Sequence, residues 1–193
     1  MITAILTETS AAAVILIPVF LLLWKVKFRD FRKTALYAVF AIYLSAVYFL
    51  VGLPTIQFHT FDLNLNLIPF IGMIADLNNE IRNVFLFIPL GLFLPLLWKK
   101  YRKWKNTLLF GFGMTLSIEL LQLFTYRATD INDILTNTLG TLIGYLIFKV
   151  ILKKVPAVVN TVRKNDVFFI IFLVAAVMFF LQPYVVSFLY RIT

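Results

Sequence analysis

Cysteine is absent from this chain and histidine occurs once, at His59. The first absence excludes disulfides and thiolate chemistry, and the second excludes a multi-histidine metal site built from a single chain. Acidic side chains are scarce: 9 Asp and Glu stand against 18 Lys and Arg, for a net charge of +9. Glycine and proline, 7 of each, form no low-complexity linker. No collagen-like, coiled-coil or solenoid period is present.

What fills the chain instead is apolar. Hydrophobic residues make up 62% of it, 21 residues are phenylalanine, and the mean hydropathy is +0.94. Those values exceed what a water-soluble surface tolerates, so the chain reads as a membrane protein. A helix crossing the hydrocarbon needs about 17 to 25 apolar residues. Six runs come near that length: Ala4 to Trp24, Thr34 to Leu53, Asn83 to Trp98, Leu108 to Tyr126, Ile134 to Phe148 and Val167 to Leu189. The expected fold class is an all-α polytopic transmembrane bundle of about six spans. Residues 1–63 hold the first two spans, 64–148 the core, and 149–193 a basic loop and the last span.

The basic residues follow alternate spans. Lys25, Lys27, Arg29, Arg32 and Lys33 come after the first; Lys99, Lys100, Arg102, Lys103 and Lys105 after the third; Lys149, Lys153, Lys154, Arg163 and Lys164 after the fifth. Arg82, Arg127 and Arg191 lie on the opposite side. Positively charged short loops stay in the cytoplasm, so both termini are expected outside. The basic loops are placed to touch anionic lipid, and nucleic acid is not an expected partner. The first run has no basic segment before it and no small-residue cleavage site after it, so it reads as a retained helix.

The longest outward connection runs from Pro54 to Arg82. Within it FDLNLNL alternates with period two, and IPFIGMIADLNNEI suits a short interfacial or partly re-entrant helix. A lid over a membrane-embedded pocket and an interface-adsorbed connector are both open readings.

The fourth and fifth spans are joined by the short outward turn RATDIND and should be antiparallel neighbours. Glu119, Gln122 and Tyr126 share a helical face, with Glu119 about 10 Å below Tyr126. Asp133, Asn137, Gly140 and Gly144 form a second stripe, on which small residues permit close helix approach. In-register packing would put Gly140 level with Glu119, and Asn137 level with Gln122. An ionisable side chain at depth must be paired, hydrated or neutral, which makes Glu119 the strongest functional pointer. Its bland alternative is a protonated acid tying helices together through Gln122 or Asn137.

Asp130 and Asp133 have the spacing of a capping box at the start of a helix. With Arg127 they also form an outward rim above Glu119. Three carboxylates suit general acid–base work or a divalent cation, and the spacing does not choose between them. Arg82 and Asn83 reach the same level from the third span, where helix N-termini and Arg82 with Arg127 would suit phosphate. Snorkelling of both arginines to bilayer phosphates is the simpler alternative. Pro89 and Gly91 in FIPLG allow a bend or a close contact, and Pro183 a bend in the last span.

NLIPF (66–70), NVFLFIPLG (83–91), SIELLQ (117–122) and RATDINDILTNTLGTLIGY (127–145) together resemble the VanZ-like family of multi-pass membrane proteins. The resemblance covers roughly Asn64 to Phe148. It implies a place in the bacterial cell membrane and an envelope role, because the family is named for a protein associated with resistance to teicoplanin, a glycopeptide that binds cell-wall precursors. The family's polar positions fall on Asn83, Glu119, Gln122, Arg127, Asp130, Asp133 and Asn137.

Two functions are carried forward. One is an outer-leaflet enzyme, a hydrolase or transferase, acting on a phosphate-bearing lipid or polyprenol-linked head group. There Glu119, Asp130 and Asp133 would be catalytic, Arg127 and Arg82 would hold phosphate, and Asn83, Gln122 and Asn137 would position substrate. The other is a non-enzymatic lipid- or antibiotic-binding protein or small transporter; no internal repeat favours the transporter.

The cysteine-free background makes the topology directly testable. Ala128→Cys is expected to react with a membrane-impermeant maleimide on intact cells, and Lys103→Cys only after permeabilisation. The reverse pattern would invert the orientation.

Overall fold

A computed structural model describes residues 2–61, 63–74, 76–152, 154 and 166–192. Lys153, Arg163 and Lys164 of the third basic loop, and Asp62 and Ala75 of the long connection, lie outside the described residues. The helices are α1 (Ile2–Leu23), α2 (Phe31–Leu50), α3 (Leu77–Leu97), α4 (Trp104–Gln122), α5 (Ile131–Ile147), α6 (Asp166–Ala176) and α7 (Gln182–Ile192). Two short strands, β1 (Leu65–Asn66) and β2 (Thr129–Asp130), pair in parallel. A π-helical turn, Val177–Leu181, joins α6 to α7 into one apolar length.

Among the described residues, 5 helical segments are long and apolar enough to cross a membrane: Ala4–Phe28, Phe31–Leu50, Leu77–Leu97, Ile131–Ile151 and Asp166–Leu189. The chain is thus a multi-pass helical membrane protein. α4 has 19 residues but is not one of these segments. Its polar ends, with Lys105 and Asn106 at one and Glu119 and Gln122 at the other, dilute its hydropathy. The packing of its neighbours still requires it to return across their thickness. α3 and α5 run parallel, with Val84 against Gly140 and Ile88 against Gly144, so the helix joining them runs back between their opposite ends.

The chain divides into two compact units, Met1–His59 with Arg163–Thr193, and Thr60–Val162. In the first, Asp30 caps α2 by accepting from Lys33 N at 3.1 Å, after Arg29 turns through the left-handed region at φ 54°. Leu16 and Phe20 of α1, Tyr37, Phe40 and Leu44 of α2, and Ile170 and Val174 of α6 are buried. Polar ties cross this apolar packing. Asp166 accepts from Tyr37 Oη at 3.0 Å and pairs with Lys33 Nζ at 3.1 Å, and Gln182 Nε2 donates to Glu8 Oε2. Proline at 183 brings no N–H to the carbonyl one turn back, and Ile56 N donates to Phe179 O at 3.0 Å instead. A wide π turn, Val177–Leu181, lies just before Pro183.

In the second unit α3 begins at Leu77 rather than Asn83. The separate helix expected over IPFIGMIADLNNEI does not form among the described residues. Residues 69–74 are turns, Gly72 takes φ +76°, and Asp76 N closes on Gly72 O at 3.0 Å before α3 starts. Nothing interrupts the helix between Leu77 and Phe87, so LNNEI becomes its first turns.

The glycine stripe of α5 meets α3. A Cβ on Gly140 would collide with Val84 O, one on Gly144 with Ile88 O, and one on Gly91 with Thr141 O. Close approach was expected, but against α4; it is the α3 backbone that occupies the space. Toward α4, Gly111 accommodates the Thr141 side chain, which would lie 2.7 Å from an added Cβ.

Gly144→Val is therefore expected to destabilise the unit by about 3 kcal/mol or more, through overpacking against a carbonyl that cannot move away. Gly113→Ala meets nothing within 4 Å and should leave stability unchanged or raise it slightly. Thermal unfolding in detergent reads both, and equal melting temperatures for the two variants would refute the crossing.

Candidate functional site

The polar side chains gather where α4 ends and α5 begins. Thr125 and Phe124 fold back on the last turn of α4, with bonds of 2.9 Å from Thr125 Oγ1 to Gln122 O and 3.0 Å from Phe124 N to Leu121 O. The chain then descends beside α4. Thr129 Oγ1 donates to Glu119 O at 3.0 Å, and Asp130 N donates to Glu119 Oε2 at 2.9 Å. Glu119 is 2% exposed.

That descent changes the expected register. Asn137 meets Thr115, donating from Nδ2 to Oγ1 at 2.9 Å, rather than lying level with Gln122. Thr115 is one turn deeper than Glu119 on α4, so α5 sits about two turns lower against α4 than a hairpin closing over its top would place it. Tyr126, expected to continue the Glu119 face, lies beyond the helix and is 70% exposed.

The capping role of Asp130 is borne out: its Oδ1 accepts from Asn132 N at 2.8 Å. The reciprocal half of a capping box is supplied differently. Asp133 does not reach back to the Asp130 N–H, which Glu119 of α4 takes; Asp133 Oδ1 accepts from Asn83 Nδ2 of α3 at 2.7 Å. One helix start is thus bonded to both of its neighbours. Charge interactions link Glu119 with Asp133, Asp130 and Arg127, and Asp133 with Glu80, Asp130 and Arg127.

Glu119, Asp130, Asp133, Asn83 and Arg127 therefore come together. Gln122 is buried one turn from Glu119, and Asn137 is buried one turn below Asp133. Arg82 is exposed on α3, while its neighbour Asn83 faces Asp133. Among the described residues no group of three or more His, Cys, Asp or Glu side chains is arranged to hold a metal ion. The carboxylates spend oxygens on amide donors rather than converging on a point.

Further residues complete the arrangement. Asn66 Nδ2 donates to Asp130 Oδ2 at 2.9 Å, next to the β1–β2 pairing of Asn66 with Asp130. Asn132 clamps the long connection, accepting from Phe70 N at 2.7 Å and donating to Ile71 O at 2.9 Å. Phe70 is held at φ 68°, a left-handed conformation unfavourable for an aromatic side chain. Leu63, Leu65 and Leu67 of the alternating segment are exposed, and Asn66 is the side chain that turns to Asp130. The clamp by Asn132 had no sequence signal beyond its place after a capping Asp.

Asn132→Ala is expected to release Phe70 from its left-handed conformation and to lose about 1–3 kcal/mol of local stability. Hydrogen exchange should accelerate at 66–71 while α3, α4 and α5 keep their protection. Unchanged exchange at Phe70 would refute the clamp.

The VanZ/LLP1 family model matches residues 34–153, which adds α2 to the 64–148 stretch where the motifs lie. Protein VanZ of Enterococcus faecium is 35% identical over 86 residues, a match covering 44% of this chain and 52% of that relative, so about half the relative's length is represented. No solved structure matches the chain. With its motifs gathered around the start of α5 and the family model covering well over half its length, the chain belongs to the VanZ/LLP1 family.

Proposed function

We propose that the start of α5 is the working end of an outer-leaflet site in a bacterial cell membrane, acting on a phosphate-bearing lipid or polyprenol-linked head group. The observation carrying this reading is the buried Glu119, bonded to Asp130 N and in charge interaction with Arg127. Parallel α3 and α5 both begin at this end, so their N-terminal amides favour an anion there. Arg127 meets phosphate, and Arg82, exposed on the same turns of α3, adds charge at the bilayer surface. Glu119 acts as general base or acid, Asp133 holds a second proton, and Asp130 fixes Glu119 through its backbone. Asn83, Gln122 and Asn137 position the head group. Family membership and similarity to Protein VanZ support an envelope role connected with glycopeptide resistance, teicoplanin included.

One observation favours a second reading, a lipid- or antibiotic-binding protein without catalysis or a small transporter: the Glu119 carboxylate already accepts the Asp130 N–H, and its backbone carbonyl accepts Thr129 Oγ1. Glu119→Gln separates the readings, because the amide keeps an oxygen for Asp130 N. A structural or binding role survives the change; acid–base work does not. In a deletion strain complemented with E119Q at normal membrane abundance, the lipid-linked product is expected to fall about 100-fold, and teicoplanin tolerance to that of the empty strain. Retained tolerance with unchanged lipid profiles would refute the catalytic assignment.

A further inference from the structure

Glu80 falls within the long connection Pro54–Arg82 by sequence, yet it stands on the first turns of α3, only 6% exposed, and its Oε2 has no hydrogen-bond partner. Asn137 is 2% exposed, and its Oδ1 also lacks one. Both orphan atoms are acceptors. The amide donors nearby are committed: Asn66 Nδ2 and Asn132 N to Asp130, Asp130 N to Glu119, Asn83 Nδ2 to Asp133, and Asn137 Nδ2 to Thr115. Glu80 interacts electrostatically with Asp130, Asp133 and Asp76, and the Thr136 hydroxyl lies beside its carboxylate, so the Oε2 left without a partner belongs to the same cluster.

This end of the unit therefore carries buried acceptor atoms that its own groups leave without a donor. Of the acidic side chains here, Glu119 and Asp133 are in charge interaction with Arg127. Val84 O, one turn below Glu80, is pressed against Gly140, so the backbone of this part of α3 is held against α5. A buried acceptor without a donor is strongly unfavourable, more so beside hydrocarbon. A ligand that brings O–H or N–H groups removes the deficit; phosphate, an acceptor itself, does not.

We propose that Glu80 is a further binding residue, and that Glu80 and Asp133 together accept hydrogen bonds from an alcohol or ammonium group on the lipid head group whose phosphate Arg127 meets. This rests on the head-group reading above and adds that the head group must carry hydrogen-bond donors. Phosphate alone would satisfy the arginine side of the site and leave the acid side unpaired.

Native mass spectrometry of the purified full-length protein, titrated with phosphatidylglycerol, phosphatidylethanolamine and phosphatidylcholine of matched acyl chains, tests it. The first two head groups offer hydroxyl and ammonium donors; choline offers none. Wild type is expected to prefer one donor-bearing lipid over phosphatidylcholine about tenfold, the size of a charge-assisted hydrogen bond. The glycerol arm winning identifies an alcohol, the ethanolamine arm an ammonium. Glu80→Gln, which preserves shape and replaces one acceptor oxygen by a donor, is expected to abolish the preference. Should it fail to accumulate, Glu80→Asp withdraws the carboxylate by one methylene and should reduce the preference. Equal binding of the three lipids by wild type, or an intact preference in the folded variant, overturns the assignment of Glu80 while leaving the phosphate site standing. Binding of no phospholipid at all overturns the head-group reading itself.

Discussion

The backbone N–H of Asp130, donated to the carboxylate of Glu119, organises the second unit. A helix start leaves its first amides without intrahelical partners, and this one sits against a neighbouring helix where water is not assured. Taking that donor with a side chain from α4 fixes where α5 begins. Once Asp130 is level with Glu119, Asn137 falls opposite Thr115 and Thr141 opposite Gly111. Asp133, relieved of the reciprocal capping bond, is free to reach Asn83 on α3. The bond thus converts a local capping problem into a three-helix arrangement.

The other side of α5 answers a different constraint. Helices in a membrane gain little from burying apolar surface against one another, because lipid is equally apolar, so shape and backbone approach carry association. Gly140, Gly144 and Gly91 let α3 and α5 meet carbonyl against Cα along parallel axes. Two parallel helices that begin at the same end direct the positive ends of their dipoles there, which is also where the acidic side chains lie. The packing that stabilises the unit therefore shapes the electrostatics of its polar end, and the two cannot be altered independently.

Much of this was legible in the residues. The apolar runs, the capping function of Asp130, the burial of Glu119 and the small-residue stripe each follow from a local rule that the packing respects. What local rules did not reveal was pairing between distant segments. A turn such as RATDIND can close over the end of a helix or fold back along it, and the choice depends on a side chain eleven positions away in the sequence. Glu80 carries no local helix signal because Asp76, Asn78 and Asn79 give its surroundings a loop-like composition, although no glycine or proline interrupts that stretch. The glycines were assigned the right property and the wrong partner, since a stripe shows that a helix can be approached closely but not by which neighbour.

The π turn at Val177–Leu181 gives the last span a property that length and hydropathy do not describe. A regular helix advances about 100° per residue, so an apolar stripe repeating every fourth residue slowly winds around its surface. Widening one turn lowers the rotation per residue and takes that drift back. Val174, Met178 and Gln182 all remain buried across the irregularity, and Gln182 arrives in position for Glu8. The turn acts as a phase correction: it lets one helical length keep the same face buried on both sides of the irregularity.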